Sequence, residues 1–136
     1  MVSETSGSRP AGEGVSSDGT RTILVVEDDP AIAGLLVVLL ESDGYAVDIA
    51  PDGETAVQYC TRARPDAIFL DVTLPDRSGW DVLAHLRASG DLPPVLLLTG
   101  DSAAVRRARS SELVEVLQKP FDIDDLLAAA RRLVRA

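Results

Sequence analysis

The sequence predicts an α/β protein, a three-layer sandwich with a parallel sheet between two layers of helices. Three observations carry that prediction. Short apolar runs suited to strands alternate five times with longer stretches of helical period, from Thr22 to the C-terminal segment. Several runs are apolar at every position, as strands covered on both faces require. Finally, the runs end on charged or polar residues: Glu27-Asp28-Asp29, Asp71, Thr99 and Lys119-Pro120. In an open parallel sheet all strand carboxyl ends lie along one edge, and that edge is where ligands bind.

Each element has its own signal. Residues Met1 to Thr20 are rich in Ser, Gly, Glu and Thr without apolar period, so they are expected to form a disordered tail. Thr22 to Val26 reads as the first strand. Asp29 caps the first helix with Pro30 in its first turn, Ile32, Leu35, Leu36, Leu39 and Leu40 form its inner face, and Gly44 stops it. Tyr45, Val47 and Ile49 alternate with Ala46, Asp48 and Ala50, the pattern of a half-covered second strand. A second helix follows Asp52-Gly53 and ends near Arg62. Ala67 to Leu70 is the third strand, and the segment from Asp71 to Gly79 is a loop punctuated by Pro75 and Gly79. The third helix runs from Trp80 to Ala88 and the fourth strand from Val95 to Leu98. Between Asp101 and Ser111 only Ala103, Ala104, Val105 and Ala108 are apolar, which makes this the weakest helix. Val114 to Gln118 is the fifth strand. The last helix starts at Asp122 with Ile123, Leu126, Leu127, Ala130, Leu133 and Val134 inward, and its acidic first turn and basic last turn suit the helix dipole.

Composition narrows the function. The 136 residues suffice for one domain with an ordinary core. A formal net charge of −9 argues against direct nucleic-acid binding, which depends on neutralising phosphates. Cys60 is the only cysteine, so no internal disulfide forms, and it reads as a small buried residue of the second helix. The first residues lack the basic start and apolar run of a secretion signal. The longest apolar stretch, Ala31 to Leu40, is too short to span a bilayer, so no membrane insertion and a cytoplasmic location are expected.

The strand ends define the chemistry. Glu27, Asp28 and Asp71 converge if the first and third strands are neighbours, and like charges that close raise one another's pKa unless a cation lies between them. Mg²⁺ takes oxygen ligands and keeps several waters, so two or three carboxylates suffice; the alternative is a helix cap, which Asp29 supplies, beside solvated acids. Asp71 closes an apolar strand and opens a loop, so it is both held and accessible. Such a carboxylate serves as metal ligand, base or nucleophile forming an acyl phosphate. Phosphoryl transfer needs positioning and charge neutralisation, for which Mg²⁺, Lys119 and the Thr99 hydroxyl are suited. No histidine belongs to the set, which weighs against a hydrolase built on a His base.

Val25-Val26-Glu27-Asp28-Asp29-Pro30, Pro65-Asp66 before Asp71, Leu74-Pro75 with Ser78-Gly79, Thr99-Gly100 and Lys119-Pro120-Phe121 occur here in one order. Together they resemble the receiver domain of two-component response regulators, over Thr22 to about Val134. The resemblance implies the flavodoxin-like receiver fold, with strand order 2-1-3-4-5 in a domain at residues 21–136. It implies a single-domain switch that accepts a phosphoryl group on Asp71 from a histidine kinase or histidine phosphotransfer protein and signals through a downstream protein. It further implies Mg²⁺ on Asp28, Asp71 and the Thr73 carbonyl, with Glu27 helping through water. Thr99 and Lys119 would contact the acyl phosphate, Lys119-Pro120 would be cis, and Thr73 and Asp101 would tune self-dephosphorylation. On this reading the protein promotes its own phosphoryl transfer and slow self-dephosphorylation and is not otherwise an enzyme.

The sequence departs from that family at three places, one of them a stretch from Thr99 to Lys119 that is shorter than expected. Val116 stands where an aromatic residue often swings inward, and Glu112-Leu113 replaces the usual Gly-Ala before the fifth strand. Signalling through movement of the weak fourth helix is the alternative relay, and a pseudo-receiver that binds partners without phosphate is the alternative function. An aspartyl phosphatase is a third reading, but Glu27-Asp28-Asp29 lacks its pair of acids two residues apart after the first strand. His85 is expected on the surface, and Trp80 is expected to give partly buried support near the crevice mouth.

Overall fold

The computed structural model describes residues 19–111 and 114–135. The expected tail therefore lies, but for Gly19 and Thr20, outside the described residues, as do Glu112 and Leu113. Five strands form one parallel sheet in the order β2-β1-β3-β4-β5. They are β1 (Thr22–Val26), β2 (Ala46–Ala50), β3 (Ala67–Asp71), β4 (Val95–Thr99) and β5 (Val114–Gln118). Five helices connect them: α1 (Pro30–Ser42), α2 (Gly53–Arg62), α3 (Gly79–Ser89), α4 (Ser102–Arg109) and α5 (Ile123–Arg135). Strand order and element order are those expected. β3 and β4 each run one residue further than the apolar run suggests, so Asp71 and Thr99 are themselves strand residues.

Strand alternation sorts the core into two layers. Leu24, Val26, Ile68, Leu70, Val95 and Leu97 pack toward α2, α3 and α4. Ile23, Val25, Ala67, Phe69, Leu96 and Leu98 pack toward α1 and α5. Because both faces are covered, every residue of β1, β3 and β4 is buried. Helix starts are set by side chains accepting otherwise unpaired backbone N–H groups: Asp29 for α1, Asp52 for α2, Ser78 for α3 and Asp101 for α4. At the other end of α3, Gly90 adopts the left-handed conformation (φ 80°) that a side chain disfavours.

Three expectations about faces need correction. Leu35 is 48% exposed, because Ala33, Leu36 and Leu40 are the α1 residues turned to the sheet. Ile123 is also 48% exposed, since α5 buries Leu126, Ala129, Ala130 and Val134 instead. β2 is not half-covered: Asp48 is buried beside Val47 and accepts a 2.7 Å hydrogen bond from the Tyr59 hydroxyl, so a buried polar pair stands where an outward acid was expected. Cys60 is buried as expected, and burial, with Asp91 adding to it, pushes its thiol up to about 12. His85 lies on the surface. Among the described residues no helix is long and apolar enough to cross a membrane.

Candidate functional site

Four strands deliver the site, β1, β3, β4 and β5. β1 ends at Val26, and the chain turns there, so Glu27 and Asp28 leave the sheet edge together. β3 pairs directly with β1, and Val26 lies opposite Leu70, which brings Asp71 beside them. One carboxylate oxygen from each of Glu27, Asp28 and Asp71 lies within 4.8 Å of the others. Asp28 is exposed, whereas Glu27 and Asp71 are only 3% and 8% exposed. Lys119 reaches in from the end of β5, with its Nζ 3.2 Å from Glu27 Oε1 and 3.4 Å from Asp71 Oδ2. Its backbone N–H also donates to the Thr99 carbonyl at 2.7 Å, which ties it to β4. The Lys119–Pro120 peptide is cis.

The electrostatics are those of an under-neutralised pocket. Burial first, and then the negative charge of Asp71, raise the Glu27 carboxyl above its ordinary range, although Asp29 N–H and Lys119 work against the rise. Burial acts to lower Lys119, but Asp71 and the hydrogen bond to Glu27 outweigh it and hold the ammonium above its usual value. Three carboxylates against one ammonium leave a formal charge of −2 on these four groups. One hard divalent cation on oxygen ligands removes that excess, so the donor set fits Mg²⁺ in both charge and chemistry.

Asp71 has one oxygen held by the backbone and one turned to Lys119. Its Oδ1 accepts the Thr73 N–H at 3.0 Å, and its Oδ2 faces Lys119. Thr73 itself is exposed and forms an isolated bridge with Ser78 across the β3–α3 loop. Thr99 is 3% exposed, one residue past Leu98, the partner of Asp71 across the sheet. Its Oγ1 accepts the Asp101 N–H at 3.0 Å, and Asp101 caps α4 by accepting the Ala103 N–H at 2.9 Å. Val116 is half-buried and packs against the core layer beneath α2, α3 and α4.

Two features escaped sequence reasoning. Asp76 accepts the backbone N–H groups of Gly53 and Glu54 at 2.8 and 3.0 Å, and Arg77 pairs with Glu54 at 2.9 Å. These contacts latch the β3–α3 loop to the start of α2, and hydrogen bonds from Gly53 and then Glu54 hold the Asp76 carboxyl below its usual range. The signal, an Asp-Arg pair inside a Pro/Gly loop, is indistinguishable from an ordinary solvated turn. The second feature concerns the packing of Gly79, which the sequence marks as punctuation and as part of the family pattern. A Cβ there would lie 2.5 Å from the Asp71 carbonyl oxygen and 2.9 Å from the Val72 Cα, so α3 starts against the backbone of the site. Trp80, the next residue, is half-buried as expected and lines a groove between α3 and α4 whose lining includes none of Glu27, Asp28 and Asp71.

Comparison with known proteins agrees with this geometry. Residues 23–131 match the sequence profile described as the response regulator receiver domain. The chain is 39% identical over 115 residues to the response regulator MprA of Mycobacterium leprae, covering 83% of this chain and 50% of that one. It is 37% identical over 115 residues to the transcriptional regulatory protein DltR of Streptococcus agalactiae, covering 83% and 51%. The chain thus spans about half the length of the curated relatives it matches. Among solved structures, the receiver domain of a sensor histidine kinase from Pseudomonas aeruginosa superposes with a TM-score of 0.77 at 30% identity, covering 86% of this chain and 99% of that one. That structure holds a magnesium ion in its active-site cleft. The receiver domain of a Francisella response regulator superposes with a TM-score of 0.78 at 27% identity, covering 85% and 98%.

Proposed function

Because this chain belongs to the response regulator receiver family, we propose that Asp71 accepts a phosphoryl group from a phosphohistidine donor and that the acyl phosphate is its signal. The observation that carries the proposal is the setting of Asp71. One of its oxygens is fixed by the Thr73 N–H, while the other faces Lys119 in a pocket shared with Glu27 and Asp28. That second oxygen attacks phosphorus as the P–N bond to the donor imidazole breaks, and the imidazole departs as the leaving group. Glu27, Asp28, Asp71 and the Thr73 carbonyl are the groups that would hold Mg²⁺, with Glu27 acting through water. When bound, Mg²⁺ supplies charge neutralisation to the phosphoryl oxygens.

The remaining work is done by the chain's own side chains. Lys119 stays protonated across the physiological range and turns its ammonium from Glu27 and Asp71 to the phosphoryl group. The Thr99 hydroxyl, which accepts from Asp101, still has its own proton to donate to a phosphoryl oxygen. Thr73 and Asp101 flank the path of water to the acyl phosphate and set its lifetime, so turnover is confined to the protein's own phosphoryl group. The donor is a histidine kinase or histidine phosphotransfer protein in the cytoplasm, and the output passes through a partner protein rather than direct nucleic-acid contact. A second reading, a binding module that signals without phosphate, draws on Val116, which is too small to act as an aromatic switch.

Incubation with acetyl phosphate and Mg²⁺, followed by intact mass measurement, separates the two. One added phosphoryl group, absent from Asp71→Asn and from samples with excess chelator, is the expected result. An unmodified wild-type mass would leave the second reading standing, and an adduct that persists in Asp71→Asn would put the chemistry elsewhere.

A further inference from the structure

A groove of about 520 Å³ runs between α3 and α4. Trp80, Leu83, Ala84 and Leu92 give it an apolar lining, while Arg87 from α3 and Arg107 from α4 bring charge to it. The Arg107 guanidinium carbon lies 4.0 Å from the centroid of the Trp80 ring, so positive charge is laid directly over apolar surface. Arg106 and Arg109 add two more exposed guanidinium groups on the same short helix. Arg21, Arg64, Arg77, Arg131 and Arg132 each pair with a carboxylate. Among the described residues Arg62, alone on α2, and Arg87, Arg106, Arg107 and Arg109 on α3 and α4 do not. A chain with 22 acidic residues against 13 basic ones therefore leaves unpaired arginines concentrated around one groove.

We propose that this groove docks an acidic segment of a partner protein, its aromatic or aliphatic anchor seated on Trp80, Leu83 and Leu92 and its carboxylates on Arg87 and Arg107. Charge complementarity selects the occupant: the rest of the molecule repels an anion and this surface attracts one. A peptide fits better than a nucleotide, which needs polar groups aimed at its base edges. The Ser110 hydroxyl at the groove already donates to the Arg107 carbonyl at 2.8 Å, and one face of Trp80 is covered by Arg107. The two walls also begin at the acid site. α3 starts with Gly79 against the Asp71 backbone, and α4 starts with Asp101 bonded to the Thr99 hydroxyl. Docking stands without phosphoryl chemistry; that phosphorylation alters the grip of the groove rests on the proposed function.

The test is fluorescence anisotropy of the full chain with a short fluorescein-labelled synthetic peptide of glutamates and aspartates around one Phe-Leu pair. Saturable binding is expected, weakened at least about tenfold by Arg107→Glu and by Arg87→Glu and by replacing the Phe-Leu pair with serines. Absence of binding overturns the proposal. So does undiminished binding by both variants, with far-ultraviolet circular dichroism showing them folded, or equal binding of the serine peptide. A guanosine nucleotide that binds more tightly than the peptide and displaces it also overturns the proposal, in favour of a nucleotide site. Acetyl phosphate with Mg²⁺ is expected to change peptide affinity about fivefold or more. An unchanged affinity in protein shown by mass to be phosphorylated sinks the coupling and spares the Asp71 chemistry. Failure to phosphorylate sinks the functional reading, and the arginine variants still decide the docking.

Discussion

The centre of the sheet and its β5 edge are built differently. Toward β1, β3 and β4, every strand residue is buried, and large side chains such as Phe69, Leu70 and Leu97 are sealed from water. Toward α4 and β5, the helix has eight residues and buries only Ala104, Val105 and Ala108, while no residue of β5 is fully buried. The proposed phosphoryl acceptor and cation ligands stand at the ends of the central strands β1 and β3, Lys119 follows the edge strand β5, and Thr99 ends β4, where the two regions meet. The difference suggests a division of labour, in which a rigid half positions the reacting carboxylate and a lightly packed half is free to respond. Low burial is the physical property that lets a segment shift for little free energy.

Substitutions in the two regions break or sharpen this contrast. Phe69→Ala should cost about 3–5 kcal/mol in urea unfolding. Val116→Ala, at a half-buried position of β5, should cost only about 1 kcal/mol. Equal costs would erase the distinction. Gly79→Ala drives a methyl group into the Asp71 carbonyl and should cost about 1–3 kcal/mol. It should also slow acetyl-phosphate labelling, a joint effect that a purely structural glycine would not show beyond its loss of folded protein.

The smallest effect is the most diagnostic of the pocket. Glu27 has a raised carboxyl pKa, so the fold favours its protonated form: that stability is fully present below the ordinary value near 4.5 and is lost as pH rises through the raised one. Glu27→Gln and the wild type should therefore unfold alike at low pH. Without divalent cation the variant should become the more stable at neutral pH, by less than the Gly79→Ala cost. Saturating Mg²⁺ should reverse the order by stabilising the wild type. A variant that is less stable at neutral pH without cation would contradict this picture of the pocket.

Much of this was legible in the chain. Apolar runs bounded by Asp29, Asp52, Ser78 and Asp101 located the elements, because strand burial and helix capping are local requirements that leave local signatures. The failures came where a helix offers more apolar residues than the sheet can cover. In α1 the period put Leu35 on the inner face, but the residues the sheet covers are Ala33, Leu36 and Leu40. Asp48 was misread because its partner, Tyr59, lies on a different element. The Asp76 latch and the α3–α4 groove were invisible for the same reason: each depends on which segments the fold brings together. The acid cluster was easier, since parallel strands send their carboxyl ends to a common edge.

Amide resonances recorded before and after Mg²⁺ and beryllofluoride, a phosphoryl mimic, test the division of labour most directly. The account predicts shifts at Asp71 and Thr99 and through Asp101 to Val116, with Ile23 to Val25 in the middle of β1 unmoved. Shifts confined to the pocket, with α4 and β5 silent, would contradict it.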